Sequence, residues 1–462
     1  MKTVFAQDFL LPLLLLAGIN PLLSTALAAG GAAAIVPVLQ TTFTNPTPAG
    51  SSDTFGAALA VMQNDRVVIG APYAGYAGVG KAYLFNLNGV LLYQFHSSGS
   101  QQFGWSIATM PDNGDHVYIG DLHEYLYWCT TNSPSWGYDW RFSTPTPYAV
   151  GDQFGRSLAA LGNDRLIVGA PNSTLGASVS GGVGAVFLYS SLDANPTPLT
   201  TITNPSPFPN GRFGASVAGV GDDRILIGAP GNSGRGKAYL FNTNGLLLTS
   251  FTNPTTYPSF ASDFGKSVAA LGSDRVIIGS RAQAFLFGVN GTLLTTFTNP
   301  LPNYSGATLF GVSVAAVGSD RVLIGSPRSL TNGAAFLFST NGTLLAALTN
   351  PTGATNDSFG ITVAVVGTDR VLIGDTRTLG GGAVYLFSLV PTLDIQPTPT
   401  NTLAVSWPLF APDFLLQQNT NGLATGSWSN VTDTVQDDGT NKYIIIDPAV
   451  GNRFYRLSKQ GQ

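Results

Sequence analysis

Few residues in this 462-residue chain are of the types that carry acid–base, nucleophilic or metal chemistry. There is one glutamate, Glu124, there are three histidines, His96, His116 and His123, and there is one cysteine, Cys129. No nucleophile elbow, Cys/His pair or H-E-x-x-H motif is present. Cys129 cannot form an internal disulfide, because it is the only cysteine. We expect it to be a buried thiol, since free cysteine is among the most buried residue types. The residue types predict neither a catalytic site nor a cofactor, although carboxylates assembled from distant parts of the chain could still form an active site.

The charged residues that recur with regular spacing are adjacent Asp-Arg pairs. They are Asp65-Arg66, Asp164-Arg165, Asp223-Arg224, Asp274-Arg275, Asp320-Arg321 and Asp369-Arg370, and Asp115-His116 takes the place of a further pair. Arginines gathered on one face could recognise an anion, because guanidinium groups pair well with oxyanions. Alternatively, each Asp satisfies a turn and each Arg pairs between neighbouring repeats. We favour this structural interpretation, because a repeated fold predicts such regularity without any ligand.

Each of these pairs follows a copy of the motif F-G-x-[S/T/A]-[V/L/I]-A. The copies begin at Phe55, Phe103, Phe154, Phe213, Phe264, Phe310 and Phe359, at spacings of 46 to 59 residues. After the pair comes an apolar run that ends in Gly, then a Gly/Ser-rich loop, a third run, and often an Asn-Gly turn before a fourth run. Four short runs bounded by turn residues indicate four strands joined by hairpins. Seven such units predict an all-β chain with a seven-bladed β-propeller.

The motif resembles the FG-GAP repeat of integrin-α-like propellers. All seven Phe-Gly pairs are present over roughly residues 36–390, and the Gly-Ala-Pro element is intact at Gly70, Gly169 and Gly228. The resemblance implies an extracellular binding protein, and it often implies calcium in the loop between the first and second strands. In most copies that loop has a single Asp followed by a cation, which cannot supply the several oxygens that Ca²⁺ needs. The loop Pro111–Asp115 of the second repeat is richer in oxygens, but it too is short. We therefore expect no bound metal.

The ends of the repeat region have complementary defects. Residues 36–46 match the fourth-strand pattern of later repeats but precede the first motif, and the seventh repeat lacks its fourth strand after Phe387. We expect the N-terminal strand to complete the seventh blade and close the ring, which removes a free sheet edge.

The remaining segments predict the domain organisation. Residues 1–28 resemble a secretory signal peptide, with Lys2 before an apolar centre and an A-x-A site at Ala26-Leu27-Ala28; an uncleaved membrane anchor is the alternative. A flexible leader (29–35), the propeller (36–390), a linker (391–398) and a small C-terminal β-sandwich (399–462) follow. The last segment resembles fibronectin-III or immunoglobulin-type modules.

The second repeat departs from the others in its aromatic residues. Four of the six tryptophans lie in it: Trp105, Trp128, Trp136 and Trp140. Exposed aromatics on a sheet edge suit stacking on sugars or anchoring a protein partner, so Trp136, Tyr138, Trp140, Tyr125 and Tyr127 are the candidate ligand-binding residues. Alternatively, these side chains fill the interface between blades. We do not expect a metal at His116, His123 and Glu124, because neighbours in a strand point to opposite faces.

Composition and charge limit the classes of partner that we expect. Charged residues make up 10% of the chain and the net charge is −4, which gives no reason to expect nucleic acid or an anionic membrane as a partner. We expect a bacterial protein that is secreted or displayed at the cell surface, is not inserted in the membrane after signal removal, and is a monomer. It would act as a non-catalytic binding or adhesion protein for an extracellular protein or carbohydrate.

The predicted recognition surface consists of long, variable loops. They are Pro72–Gly80, Pro171–Gly184, Tyr257–Asp263 and Pro302–Leu309, which belong to the end opposite the Asp-Arg turns. The alternative function is that of a secreted polysaccharide-acting enzyme with an acidic site at the channel mouth. Acidic side chains converging within about 10 Å at one mouth would favour this alternative.

Overall fold

The fold is known from a computed structural model. It describes residues 35–46, 52–63, 65–75, 78–97, 102–110, 116–122, 125–130, 140–143, 145, 151–175, 182–190, 197–255, 262–301, 308–330, 332–353, 357–400, 402–408, 414–420, 428–438, 441–446 and 453–459. The described chain is all-β, with nine antiparallel sheets and short 3-10 turns at Asn232–Gly234 and Thr378–Gly380. In this part of the chain, no helix has the length and apolar character needed to cross a membrane.

Seven four-stranded sheets follow the repeats in order. Sheet one holds β2 Ala58–Met62, β3 Arg66–Ala71, β4 Lys81–Asn86 and β5 Leu91–His96; sheet two holds β6 Ser106–Thr109, β7 His116–Gly120, β8 Tyr125–Thr130 and β9 Trp140–Ser143; sheet three holds β10 Ser157–Leu161, β11 Arg165–Ala170, β12 Ala185–Ser190 and β13 Thr200–Thr203; sheet four holds β14 Ser216–Val220, β15 Arg224–Ala229, β16 Lys237–Asn242 and β17 Leu247–Thr252. Sheet five holds β18 Ser267–Leu271, β19 Arg275–Gly279, β20 Gln283–Gly288 and β21 Leu293–Thr298; sheet six holds β22 Ser313–Val317, β23 Arg321–Ser326, β24 Ala334–Ser339 and β25 Leu344–Thr349; sheet seven holds β26 Thr362–Val366, β27 Arg370–Asp375, β28 Ala383–Pro391 and, beside β28, the N-terminal strand β1 Ile35–Thr44.

Apolar second and third strands form the core between neighbouring sheets. In sheet one, Val67, Ile69 and Tyr83 pack with Leu372 and Leu386 of sheet seven. The opposite face of sheet one packs on sheet two, and the same arrangement continues from sheet two to sheet five. The sequences of these strands are nearly continuous apolar runs, because both faces of each strand are covered by neighbouring sheets.

The first strands of the repeat sheets contact each other in sequence order. β2 contacts β6, and the contacts continue through β10, β14, β18 and β22 to β26; β26 in turn contacts β2. An order of this kind, built from four-stranded antiparallel sheets, is compatible with a propeller-like fold.

The Ser or Thr of the F-G-x-S motif bonds to the Gly carbonyl of the next motif. Ser157 donates to Gly214, Ser216 to Gly265, Ser267 to Gly311, Ser313 to Gly360 and Thr362 to Gly56, over distances of 2.6 to 2.9 Å, and Ser106 donates to Gly155. This close approach also explains the Gly that ends the second strand. A Cβ on Gly228 would overlap the carbonyl oxygen of Gly265 in the next sheet.

The Asp-Arg turns join neighbouring sheets at the opposite end. Four of the arginines donate from Nη2 to a carbonyl oxygen in the next turn: Arg165 to Asp222 at 2.5 Å, Arg224 to Ser273 at 2.6 Å, and Arg275 to Ser319 and Arg321 to Thr368 at 2.8 Å. Arg66 Nη2 instead donates to Gln63 within its own turn. Each Nε lies 3.2 to 3.5 Å from the carboxylate of the preceding Asp. The structural interpretation is confirmed for these four arginines.

The C-terminal strands belong to a second compact unit, which holds the chain from Leu389 onward. One sheet has β29 Asp394–Pro397, β30 Leu403–Pro408, β34 Asn441–Ile446 and β33 Gln436–Asp437; the other has β32 Ser429–Asn430, β31 Phe414–Asn419 and β35 Phe454–Lys459. Trp407 and Ile444 of the first sheet share one apolar core with Leu416 and Tyr455 of the second.

Candidate functional site

A cavity of about 170 Å³ lies at the end of sheets three, four and five that is opposite the Asp-Arg turns. It is lined by Gln153, Arg156, Pro171, Asn172, Arg212, Ala215, Pro230 and Lys266. Pro171 and Pro230 follow directly on β11 and β15, where the second strands end. Pro171 also begins one of the loops that the sequence marks as a recognition surface.

The motif itself places two of the three cations at this cavity. Arg156 and Lys266 are the variable residue of F-G-x-S in sheets three and five, directly before the first strand. Sheet four has Ala215 at the equivalent position, which leaves space between the two long side chains.

The third cation, Arg212, immediately precedes the Phe of the motif in sheet four. Its φ is +55°, in the left-handed region that non-glycine residues seldom adopt, and Gln153 has the same conformation with φ +57°. Residues in front of four other motifs share it: Thr54, Gln102, Asp263 and Leu309. The conformation therefore belongs to the repeat, and two of its six occurrences line the cavity.

Arg156 is the most enclosed of the three cations. Its guanidinium lies over the ring of Trp105, 4.2 Å from the centroid, and its Nη1 is buried without a hydrogen-bond partner among the described residues. Burial first, and then the positive charge of Arg212, lowers the pKa of Arg156 to about 10. Burial and the neighbouring positive charge both make the charged form less stable than it is in water, although a guanidinium with this pKa is still charged at neutral pH.

Lys266 is held in the same positive field. Burial of the ammonium and then the charge of Arg156 lower its pKa, as do Arg212 and Arg281, and only Asp263 opposes them. The carboxylate of Asp263 is itself bonded to Arg281, at 2.6 Å. Among the described residues, no carboxylate forms an ion pair with the three cations of the cavity.

The cavity is therefore suited to binding an anion. Three cations and the side-chain amides of Gln153 and Asn172 line it, and the described residues of its lining include no carboxylate or histidine. General acid–base catalysis needs a group that titrates near the working pH, and glycoside hydrolysis needs two carboxylates.

Sequence reasoning missed Arg156, Arg212 and Lys266. The signal was present in the motif: its variable residue is a cation in the third and fifth copies, and a cation precedes Phe213 in the fourth. Only the order of the sheets brings these copies together.

The predicted aromatic residues of sheet two lie in different surroundings. The ring of Trp140 is 54% exposed, and Trp140 pairs with Trp128 across β8 and β9. Tyr125 is half-buried with Arg141 over its ring at 4.9 Å. Tyr127 is buried and packs on Phe103 with a centroid separation of 5.0 Å.

These three residues do not share one surface. Tyr125 and Tyr127 are two apart in one strand and lie on the same face, whereas Trp140 lies on the face of Trp128. Trp136, Tyr138, His123 and Glu124 fall outside the described residues, so ligand binding by this group stays a prediction. The single cysteine, Cys129, is buried in the core between sheets one and two.

Two carboxylates converge in sheet seven. Asp357 and Asp375 both accept from Asn350 Nδ2, at 2.7 and 2.9 Å. Asp375 is fully buried and also accepts from the Thr378 hydroxyl and from the backbone N–H groups of Ser358 and Arg377. Burial, and to a lesser extent Asp357, raises the pKa of Asp375, while these hydrogen bonds oppose the rise. A carboxylate enclosed in this way holds loops together and is not accessible to a substrate.

Within the described residues, no group of three His, Cys, Asp or Glu side chains could hold a metal ion. The chain matches no protein-family model and no curated protein.

Proposed function

We propose that this chain is an exported, non-catalytic binding protein whose loop surface recognises an extracellular ligand. The observation that supports this most is the cavity formed by Arg156, Arg212 and Lys266, in which the cations lack a carboxylate partner among the described residues. Like charges held close together without counter-ions lower the stability of the fold, and such clusters are typical of ligand-binding sites. The ligand is an extracellular carbohydrate or protein that carries negative charge.

The frame for this surface is a seven-bladed propeller of the FG-GAP type. The contact of β26 with β2 supports a closed ring, as does the bond from Thr362 to the carbonyl of Gly56. The position of β1 as the fourth strand of sheet seven supports closure by the N-terminal strand. The C-terminal unit is a small sandwich, because its two sheets share one core. Export through the signal peptide and a monomeric state complete the proposal.

The alternative, a polysaccharide-acting enzyme, receives less support. The carboxylates that converge in sheet seven include the fully buried Asp375, and the open cavity has cations in place of acids. A glycosidase of the common type needs two accessible carboxyl groups beside the bond that it breaks.

A binding array tests the proposal. The mature protein is applied to extracellular glycans and proteins, beside the double variant Arg156→Gln, Lys266→Gln. We expect the wild type to retain acidic ligands, and the double variant to lose them while it keeps its melting temperature. The absence of any bound ligand, or the release of new reducing ends from a polysaccharide, would contradict a non-catalytic binding function.

A further inference from the structure

The size of the cavity limits what it can hold. Its volume is about 170 Å³. Pockets for drug-sized ligands are larger, at about 300–1,000 Å³. The cavity therefore accommodates one small charged group, and the rest of a larger ligand would lie outside it.

The charge of the cavity indicates the charge of that group. Arg156, Arg212 and Lys266 contribute three positive charges, and Asp263, the acid that acts on Lys266, is already bonded to Arg281. A carboxylate would neutralise one of the three charges. A doubly charged anion neutralises two, and it relieves more of the repulsion that lowers the pKa of Arg156.

The donors available favour an oxyanion with several acceptor oxygens. The guanidinium of Arg156 packs one face on Trp105, and its N–H groups point outward within its own plane, where Nη1 has no acceptor among the described residues. Arg212 is exposed, and Lys266 also has an exposed part although its ammonium is partly desolvated, so both can donate from other sides. The amides of Gln153 and Asn172 can donate as well. A tetrahedral anion presents oxygens in several directions, whereas a carboxylate presents two in one plane.

We propose that this cavity binds a doubly charged tetrahedral oxyanion, a phosphate monoester that is carried on an extracellular polysaccharide. The inference rests on the proposed binding function, because it names the chemical group that the loop surface recognises. The free inorganic ion has the same chemistry, and the experiment separates the two sources.

The first measurement is calorimetric titration of the full mature chain with sodium sulfate, sodium phosphate and sodium acetate at constant ionic strength. We expect sulfate and phosphate to bind at least tenfold more tightly than acetate. Arg156→Gln, Arg212→Gln and Lys266→Gln should each weaken phosphate binding about tenfold. Arg328→Gln is the matched control, because it removes the same charge from an exposed arginine that does not line the cavity. Equal affinity for acetate and phosphate, or equal loss in the control, would overturn the proposal.

The second measurement separates the sources of the anion. Dextran that carries phosphate monoesters should bind and should be displaced by free phosphate, whereas unmodified dextran should not bind. Binding of the free ion without the phosphorylated dextran would overturn the assignment to an ester. Should Arg156→Gln fail to fold, Arg212→Gln still decides the outcome, because that side chain is exposed.

The two proposals fail in distinguishable ways. Retention of a neutral ligand on the array, together with no phosphate binding, would keep the binding function and refute this inference. Binding of sulfate or phosphate by the cavity, with no retained glycan or protein, would keep an anion site and refute the proposed function.

Discussion

The bond between the hydroxyl of Thr362 and the carbonyl oxygen of Gly56 joins the seventh repeat sheet to the first, and its removal tests the ring. In the middle of the array, Ser267 makes the same bond to Gly311. The donor–acceptor distances are 2.6 and 2.8 Å. We expect Thr362→Val and Ser267→Ala each to lower the free energy of unfolding by about 1 kcal/mol, because a typical intramolecular hydrogen bond contributes about 0.5–1.5 kcal/mol net.

A bond of this kind can be added in sheet one, because Ala58 stands where the other copies of the motif have Ser or Thr. A Cβ on Gly70 would overlap the carbonyl oxygen of Gly104, just as a Cβ on Gly228 would overlap that of Gly265. The acceptor is therefore in the same place in sheet one as in the sheets that have a serine. We expect Ala58→Ser to raise the free energy of unfolding by up to about 1 kcal/mol.

Differential scanning calorimetry of the purified variants is the assay. A change of 1 kcal/mol moves the melting temperature by about 2–4 °C in a protein of 150–250 residues, so in this larger unit we expect about 1–2 °C for each bond. The triple variant Ser157→Ala, Ser267→Ala, Thr362→Val should lose about 3 kcal/mol, because the effects of distant sites add. A loss with Ser267→Ala but none with Thr362→Val would refute the joining of sheets seven and one.

Three further predictions follow from the fold. Deletion of residues 29–46 should lower the melting temperature markedly and promote self-association, because β28 would become an open edge; a truncated chain as stable and monomeric as the full one would contradict this. Treatment with EDTA should leave the melting temperature unchanged, since a metal bound only to the native state would raise it; a fall of several degrees would reveal a calcium site. Burial raises the pKa of Asp375 above its ordinary value of 3.8, so the native state binds the proton more tightly than the unfolded chain. Its contribution to stability is then full below pH 3.8 and is lost as the pH rises through the native pKa, and urea denaturation of Asp375→Asn should show a flatter pH dependence over that window.

The strands were predictable because the motif repeats both its apolar runs and its turns. The Thr-Asn-Pro sequence at the end of the fourth strand, as in Thr349-Asn350-Pro351, shows how local this information is. The side chain of Asn350 accepts from the backbone N–H of Thr352. The same bond, from the backbone N–H of the residue two positions later, is accepted by Asn204, Asn253 and Asn299. An Asx turn of this kind needs only neighbouring residues, so one repeat is sufficient to recognise it.

The contacts between repeats were harder to predict. Nothing within one repeat indicates a partner for the Ser of the motif, yet its hydroxyl bonds to the next sheet, as Ser216 does to Gly265. The arginines of the Asp-Arg turns were expected to pair between repeats, but not specifically with the backbone carbonyls that accept from Arg165 and Arg224. A partner in another repeat leaves no trace in the spacing of residues within one repeat.

The cavity was not predictable for a related reason, which concerns the variable residue of F-G-x-S. Phe and Gly of the motif are buried, and its Ser or Thr bonds to the next sheet, so these positions are constrained by the fold. The residue between the Gly and the Ser or Thr carries no such constraint, and only sheets one and four have the same residue there. The seven residues are Ala57, Trp105, Arg156, Ala215, Lys266, Val312 and Ile361. A site can form on a regular frame only where such unconstrained positions differ.

Trp105 connects this site with the aromatic residues that distinguish the second repeat. It is the variable residue of sheet two, and its ring packs against the guanidinium of Arg156 from sheet three and against Tyr73 from sheet one. A tryptophan that holds a cation in this way is already using one face of its ring, so it positions the arginine and is not itself a free stacking surface for sugars. The unusual composition of the second repeat thus contributes to the anion cavity through Trp105, whereas Trp140 lies on a different, outer strand of that sheet.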